Sequence, residues 1–150
     1  MASVCSECGA PVADGGSCRD NFHALLLLES QIPGGPGDVC HFYAVASYAL
    51  QHPETMGCTS ESLANLRTCL TDHLDGKVTL EIIHRRVRRE SEGSKRVTRR
   101  AGDPIARWAV ESWPMTVADV CVGGIEGYNE RVQLWARSIL DTLDDFIPQP

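Results

Sequence analysis

Asp38-Val39-Cys40-His41-Phe42-Tyr43-Ala44-Val45-Ala46-Ser47-Tyr48-Ala49-Leu50-Gln51-His52-Pro53 is the stretch from which the rest of the chain is read. His41, Val45, Tyr48 and His52 fall at i, i+4, i+7 and i+11, the spacing of one helical face and not the alternation of a strand. The helix opens at Asp38 or Val39 and runs to about Gln51. Pro53 ends it, because the residue before a proline disfavours the helical region. At about 100° per residue, eleven steps bring His52 to within about 20° of His41, so both imidazoles leave the same face. His52 sits in the last turn, where a side chain is most easily aimed.

Working outward, Ile32-Pro33-Gly34-Gly35-Pro36-Gly37 is a firm break, since proline and glycine both oppose helix continuation. Before it, Asp20 is placed to cap a helix over Asn21–Gln31, with Phe22, Leu25, Leu26 and Glu29 on one face. After Pro53, Thr59 or Ser60 caps a helix carrying Leu63, Leu66, Leu70 and Leu74 and closed by Gly76. Thr79 caps another, with Leu80, Ile83 and Val87 inward. Residues 91–115 read as an irregular connection, punctuated by Gly93, Gly102, Pro104 and Pro114. Thr116-Val117-Ala118-Asp119 has the form of a capping box before a short helix. The last helix, about Glu126–Phe146, carries a stripe of Tyr128, Val132, Trp135, Ile139, Leu143 and Phe146. No alternating strand and no internal repeat is visible. The expected fold is all-α: a bundle of about five to six helices in a single domain over residues 1–150. Residues 1–20 form a metal-binding, zinc-knuckle-like loop packed on helices 21–90, and residues 116–147 supply the C-terminal helices.

Composition narrows the class. At 150 residues with 43% hydrophobic and 23% charged content, the chain can bury its own core. The longest apolar run, Ala24 to Leu28, is far short of a membrane span. The N-terminus lacks the basic and apolar regions of a signal peptide, and seven cysteines cannot all pair, so a reducing cytoplasm is expected. Eight of the fourteen basic residues lie between Arg85 and Arg100, against only Glu90 and Glu92 there. That stretch carries +6, so the remainder carries −12 within a total of −6. Such a stripe can take an anionic ligand or a protein partner, or pair with the chain's own carboxylates. Overall acidity and sparse aromatics near the arginines argue against nucleic acid.

Cys5-Ser6-Glu7-Cys8-Gly9 carries the chemistry. Two thiols three positions apart followed by glycine form a rubredoxin-type knuckle, in which backbone N–H groups can point at the sulfurs. Cys18 adds a third thiol. Zn²⁺ takes about four thiolate or imidazole donors, and His23, His41 and His52 are candidates for the remaining one. His23 is the local choice; His41 or His52 would staple the loop onto the second helix. Cys40, Cys58, Cys69 and Cys121 fall singly among apolar helical positions and read as small hydrophobes.

CxxCG, a later cysteine leading into Phe22-x6-Glu29, His41, and Tyr48-Ala49-Leu50-Gln51-His52-Pro53 together resemble a family of small bacterial proteins known only as a domain of unknown function. The likeness covers roughly residues 5–75. Trp113-Pro114-Met115-Thr116-Val117-Ala118-Asp119 and Trp135-Ala136-Arg137-Ser138 resemble the C-terminal half of its closer members. The resemblance implies Cys5, Cys8, Cys18, His41 and His52 as the matched positions, which are the expected metal ligands, and implies no activity.

Two functions follow as expectations. In the first, zinc is structural and supports a module that binds a partner or anion through Arg85–Arg100. In the second, an open zinc site activates water in a helical-bundle hydrolase or transferase resembling the DinB-like enzymes. His23, His41 and His52 would then converge, with Glu29 and Tyr48 moving protons. His52-Pro53-Glu54 is not the zinc-deaminase signature, because there the PCxxC follows the HxE and here CxxC precedes it.

Overall fold

The computed structural model describes residues 3–35, 37–92, 107–108 and 110–146. Among them the protein is helical, with seven helices and one two-stranded ribbon. The ribbon pairs β1 (Ser3–Val4) antiparallel with β2 (Pro11–Val12), Ser3 opposite Val12. Two residues per strand leave no alternation for a sequence pattern to show, so what reads as loop carries a short ladder.

Helix α1 spans Cys18–Ser30 and begins three residues before the expected start. Ser17 is its N-cap, and Asp20, expected to cap, lies one turn in, where its Oδ2 accepts from the Ser17 N–H at 2.9 Å. That is the reaching-back half of a capping box, and it puts Cys18 at the first helical position. Helix α2 (Asp38–Gln51) is the centre of the molecule, packed against α7 (Tyr128–Phe146) and α4 (Ser60–Leu74). Its small buried Ala44, Ala46 and Ala49 leave room for bulky neighbours, and the fully buried Trp135 of α7 is the largest of them. The Trp135 indole donates to Gln51 Oε1 at 3.2 Å, so a polar bond pins the two helices inside an apolar core.

The sequence does not announce α3 (Pro53–Met56). Proline at a first helical position loses no hydrogen bond and already has the required φ, so the residue that ends α2 starts the next helix. Gly57, left-handed at φ 66°, closes α3. As expected, Thr59 caps α4, its Oγ1 accepting from the Ser62 N–H at 3.1 Å. Thr79 likewise accepts from Ile82 at the start of α5 (Leu80–Glu92). Ile83 is buried there, but Val87, expected inward, is 46% exposed. Helix α5 holds to the bundle through Ile83 and an Arg86–Asp72 ion pair at 3.0 Å.

Asp119 accepts from the Thr116 N–H at 2.8 Å, the box read at the start of α6 (Val117–Cys121). Along α7, Tyr128, Val132, Trp135, Ile139 and Leu143 are buried as the stripe requires; the Phe146 side chain lies outside the described residues. Most of the 91–115 connection and residues 93–100 of the basic stretch also lie outside them. Two described tryptophans tie the connection down. Trp108 donates to the Leu50 carbonyl at 2.8 Å and Trp113 to the Glu7 carbonyl at 3.2 Å. Among the described residues no helix is long and apolar enough to cross a membrane.

Candidate metal centre

The ribbon exists to shape a turn. Cys5 N–H donates to Ala10 O at 2.8 Å and Gly9 N–H to Cys5 O at 2.9 Å, while Gly9 takes φ 84°, where a side chain would be strained. The turn faces its sulfurs inward, and the Ala10 N–H points at Cys8 Sγ, 3.4 Å away. Helix α1 brings Cys18 against it, with Cys8 Sγ and Cys18 Sγ 3.6 Å apart. The Asn21 amide, one turn into α1, joins the two segments by donating to Pro11 O at 3.0 Å and to Cys18 Sγ at 3.6 Å.

The fourth donor comes from α2. His52 is the residue where that helix ends, at φ −130°, ψ 53°, so its side chain leaves the helical track. Its Nδ1 lies 2.8 Å from the Tyr48 carbonyl, which can only accept, so Nδ1 carries the proton and Nε2 presents a lone pair. Nε2 is fully buried without a hydrogen-bond partner. The ring is clamped in a stack: Tyr48 lies 3.9 Å from it at 18°, and Phe22 covers the other face of Tyr48 at 4.1 Å and 9°.

These pieces meet. The ligand atoms of Cys5, Cys8, Cys18 and His52 all lie within 4.8 Å of one another, close enough to bind one metal ion. Cys8, Cys18 and His52 are buried and Cys5 is half-buried. The fit to a metal rests on two observations. A buried imidazole nitrogen with no partner is costly unless something occupies its lone pair. The 3.6 Å sulfur separation is close to the edge of a tetrahedron with metal–sulfur bonds of about 2.3 Å, which is about 3.8 Å. Within the thiol pair, the hydrogen bond between Cys8 and Cys18 dominates. It holds the Cys18 thiol well below its usual range, and, with burial, holds Cys8 above it.

The structure does not bring His41 or His23 into this set. Eleven residues place His41 on the face of His52 but about 16 Å away along the axis, so one ion cannot reach both. His41 Nδ1 instead lies 2.8 Å from Oε2 of Glu29, whose Oε1 accepts from the Tyr128 hydroxyl at 2.8 Å. His23 is exposed on α1. Glu29 and Tyr48, paired in the catalytic expectation, therefore serve different places: Glu29 the His41–Tyr128 cluster, Tyr48 the thiol cluster. Two contributors escape sequence reasoning, Asn21 and Glu7. Glu7 lies between the knuckle cysteines and accepts from the Glu54 N–H at 2.9 Å and from the Thr55 N–H and hydroxyl, fastening the knuckle to α3. A carboxylate facing the start of a helix is a common signal, but nothing in the sequence says that the two segments meet.

With this geometry in hand, a comparison with family models matches residues 3–144, including all four clustered residues. The chain belongs to DUF5946, a family of unknown function. The DUF5946 match reaches from the ribbon through most of α7, so it takes in both the CxxCG knuckle and the C-terminal helices. No curated protein and no solved structure matches the chain.

Proposed function

We propose that Cys5, Cys8, Cys18 and His52 bind Zn²⁺ as a structural centre that staples the N-terminal ribbon to α1 and to the end of α2. The observation that carries this reading is the buried, partnerless His52 Nε2 gathered with three thiols. Thiolate-rich sets with four protein donors suit zinc and fill its tetrahedral shell, which favours a structural role over an open, water-activating one. The ribbon has little apolar surface of its own, so a metal would supply the free energy that fixes it.

The stapled body serves as a cytoplasmic module for an anionic ligand or protein partner, with the basic stretch as its contact. Two of the arginines in that stretch are already engaged, Arg85 with Glu81 and Arg86 with Asp72. Arg88 and Arg89 are exposed on α5 without an ion pair among the described residues. Among the described residues of that stretch, they are the groups left to meet an anion.

Metal content by mass spectrometry tests the centre. Wild type and the His23→Ala and His41→Ala variants are expected to carry about one zinc per chain, whereas Cys5→Ser and His52→Ala lose it together with thermal stability. Zinc retained in His52→Ala, or no metal in wild type, would sink the reading.

A further inference from the structure

Between the knuckle, the start of α3 and the tryptophans that tie down the connection lies a cavity of about 320 Å³, near the lower limit for a small-molecule site. Among the described residues its lining joins two indoles, Trp108 and Trp113, to Pro53, Glu7, Glu54 and Arg107. Both indoles are half-buried, and each spends its one polar group on the backbone, Trp108 on Leu50 O and Trp113 on Glu7 O. What they have left to offer the cavity is apolar ring surface. The charged lining sets two carboxylates against one guanidinium, so its balance is negative. Glu7 accepts from the N–H groups of Glu54 and Thr55 and from the Thr55 hydroxyl. Three of about four lone-pair sites are thus taken, yet neutral donors leave the charge in place. Arg107 pairs with Glu54 at 3.0 Å, but with the two side chains 66% and 43% exposed, water screens that pair and little holds it together.

We propose that this cavity binds a small, free quaternary ammonium ion. Such a cation donates no hydrogen bond, so it is held by opposite charge and apolar contact together, and this lining supplies both. Indole is the aromatic side chain that attracts cations most strongly. The methyl groups pack on Trp108, Trp113 and Pro53, and Glu7 and Glu54 balance the charge. A primary ammonium would bring several N–H donors to a carboxylate with few lone pairs left, and a buried donor without an acceptor is costly. An anion would find only Arg107, already paired and opposed by two carboxylates. The inference draws nothing from the zinc reading.

Titration calorimetry of the intact protein tests this with four probes. These are choline, its neutral isostere with carbon in place of nitrogen, ethanolamine, and a peptide bearing trimethyllysine. Choline is expected to bind about tenfold or more tightly than the carbon isostere, the worth of a cation between indoles, and more tightly than ethanolamine. Arg107→Gln removes the competing cation from an exposed position and is expected to tighten choline binding about two- to fivefold. Glu54→Gln should weaken it by a similar factor, since it removes one carboxylate and leaves Arg107 unpaired. Equal binding of the carbon isostere, or no binding of choline, would overturn the proposal. Ethanolamine binding as tightly as choline would overturn the quaternary assignment. Weaker choline binding in Arg107→Gln, or no change, would overturn the cavity as the place of binding. A trimethyllysine peptide that binds more tightly than choline would overturn the free ion in favour of a modified side chain.

Discussion

At the scale of single residues, the two histidines of α2 show what a sequence pattern conveys and what it omits. Angular spacing puts His41 and His52 on one face, and the 3.6-residue period makes that legible. Reaching a common ion also requires axial proximity, and eleven residues of rise separate them by about 16 Å. His52 is freed by Pro53, which ends the helix beneath it and lets its ring turn to the thiols. His41 meets the buried Glu29 instead, and Tyr128 completes that cluster. Burial first, and then the bond to Glu29, hold the Tyr128 phenol well above its ordinary value. A raised phenol favours the neutral form in the folded state. Its contribution is therefore complete below the unfolded value of about 10 and is lost as pH rises past it. Tyr128→Phe leaves Glu29 short of one donor and is expected to cost about 1–3 kcal/mol at pH 8. It should also flatten the alkaline fall in stability. Urea midpoints from pH 8 to 11 for both proteins check this, and parallel curves would refute it.

At the scale of elements, long amphipathic helices and their caps were legible: Thr59, Thr79 and Thr116 each accept or organise the bonds their positions foretell. Short elements were not. The ribbon has two residues per strand, and α3 has four residues started by a proline that reads first as a terminator. The turn between α6 and α7 was legible only as a glycine break, and its real organiser is Arg131. That guanidinium donates from Nε to Val120 O at 2.9 Å and from its two terminal nitrogens to Glu126 O and Gly124 O. A Cβ on Gly123 would stand 2.5 Å from Arg131 Nη1. An arginine end is usually free to swing aside, but this one is held by three carbonyls. Moving it would leave those carbonyls without their donor. Gly123→Ala is therefore expected to destabilise the protein by about 1–3 kcal/mol, as overpacking does. The double variant Gly123→Ala with Arg131→Ala should show little additional loss over Arg131→Ala alone. Full additivity in thermal or urea melts would mean that the clash is absent.

At the scale of the whole molecule, the metal cluster and the hydrophobic core divide the work. The core is built on α2 and α7 and contains Tyr48, Leu50, Trp135, Ile139 and Leu143, none of which needs a metal to be buried. The ribbon contributes only Cys8, Ala10 and Val12 to it, and is held otherwise by the cluster, by Glu7 on α3 and by the Trp113 indole on the Glu7 carbonyl. On the proposed zinc reading, stripping the cluster with a strong chelator should thus release residues 3–17 while the helices persist. Far-UV circular dichroism is expected to change little, because the released segment contains no helix. Trp113 fluorescence should shift as its indole loses the Glu7 carbonyl and meets water. The melting temperature should fall by about 10 °C, the shift that a few kcal/mol produces in a chain of this length. Limited proteolysis would then cut within residues 3–17 before any helix. Loss of helical signal in step with zinc would show the opposite order of dependence, with the bundle itself resting on the staple.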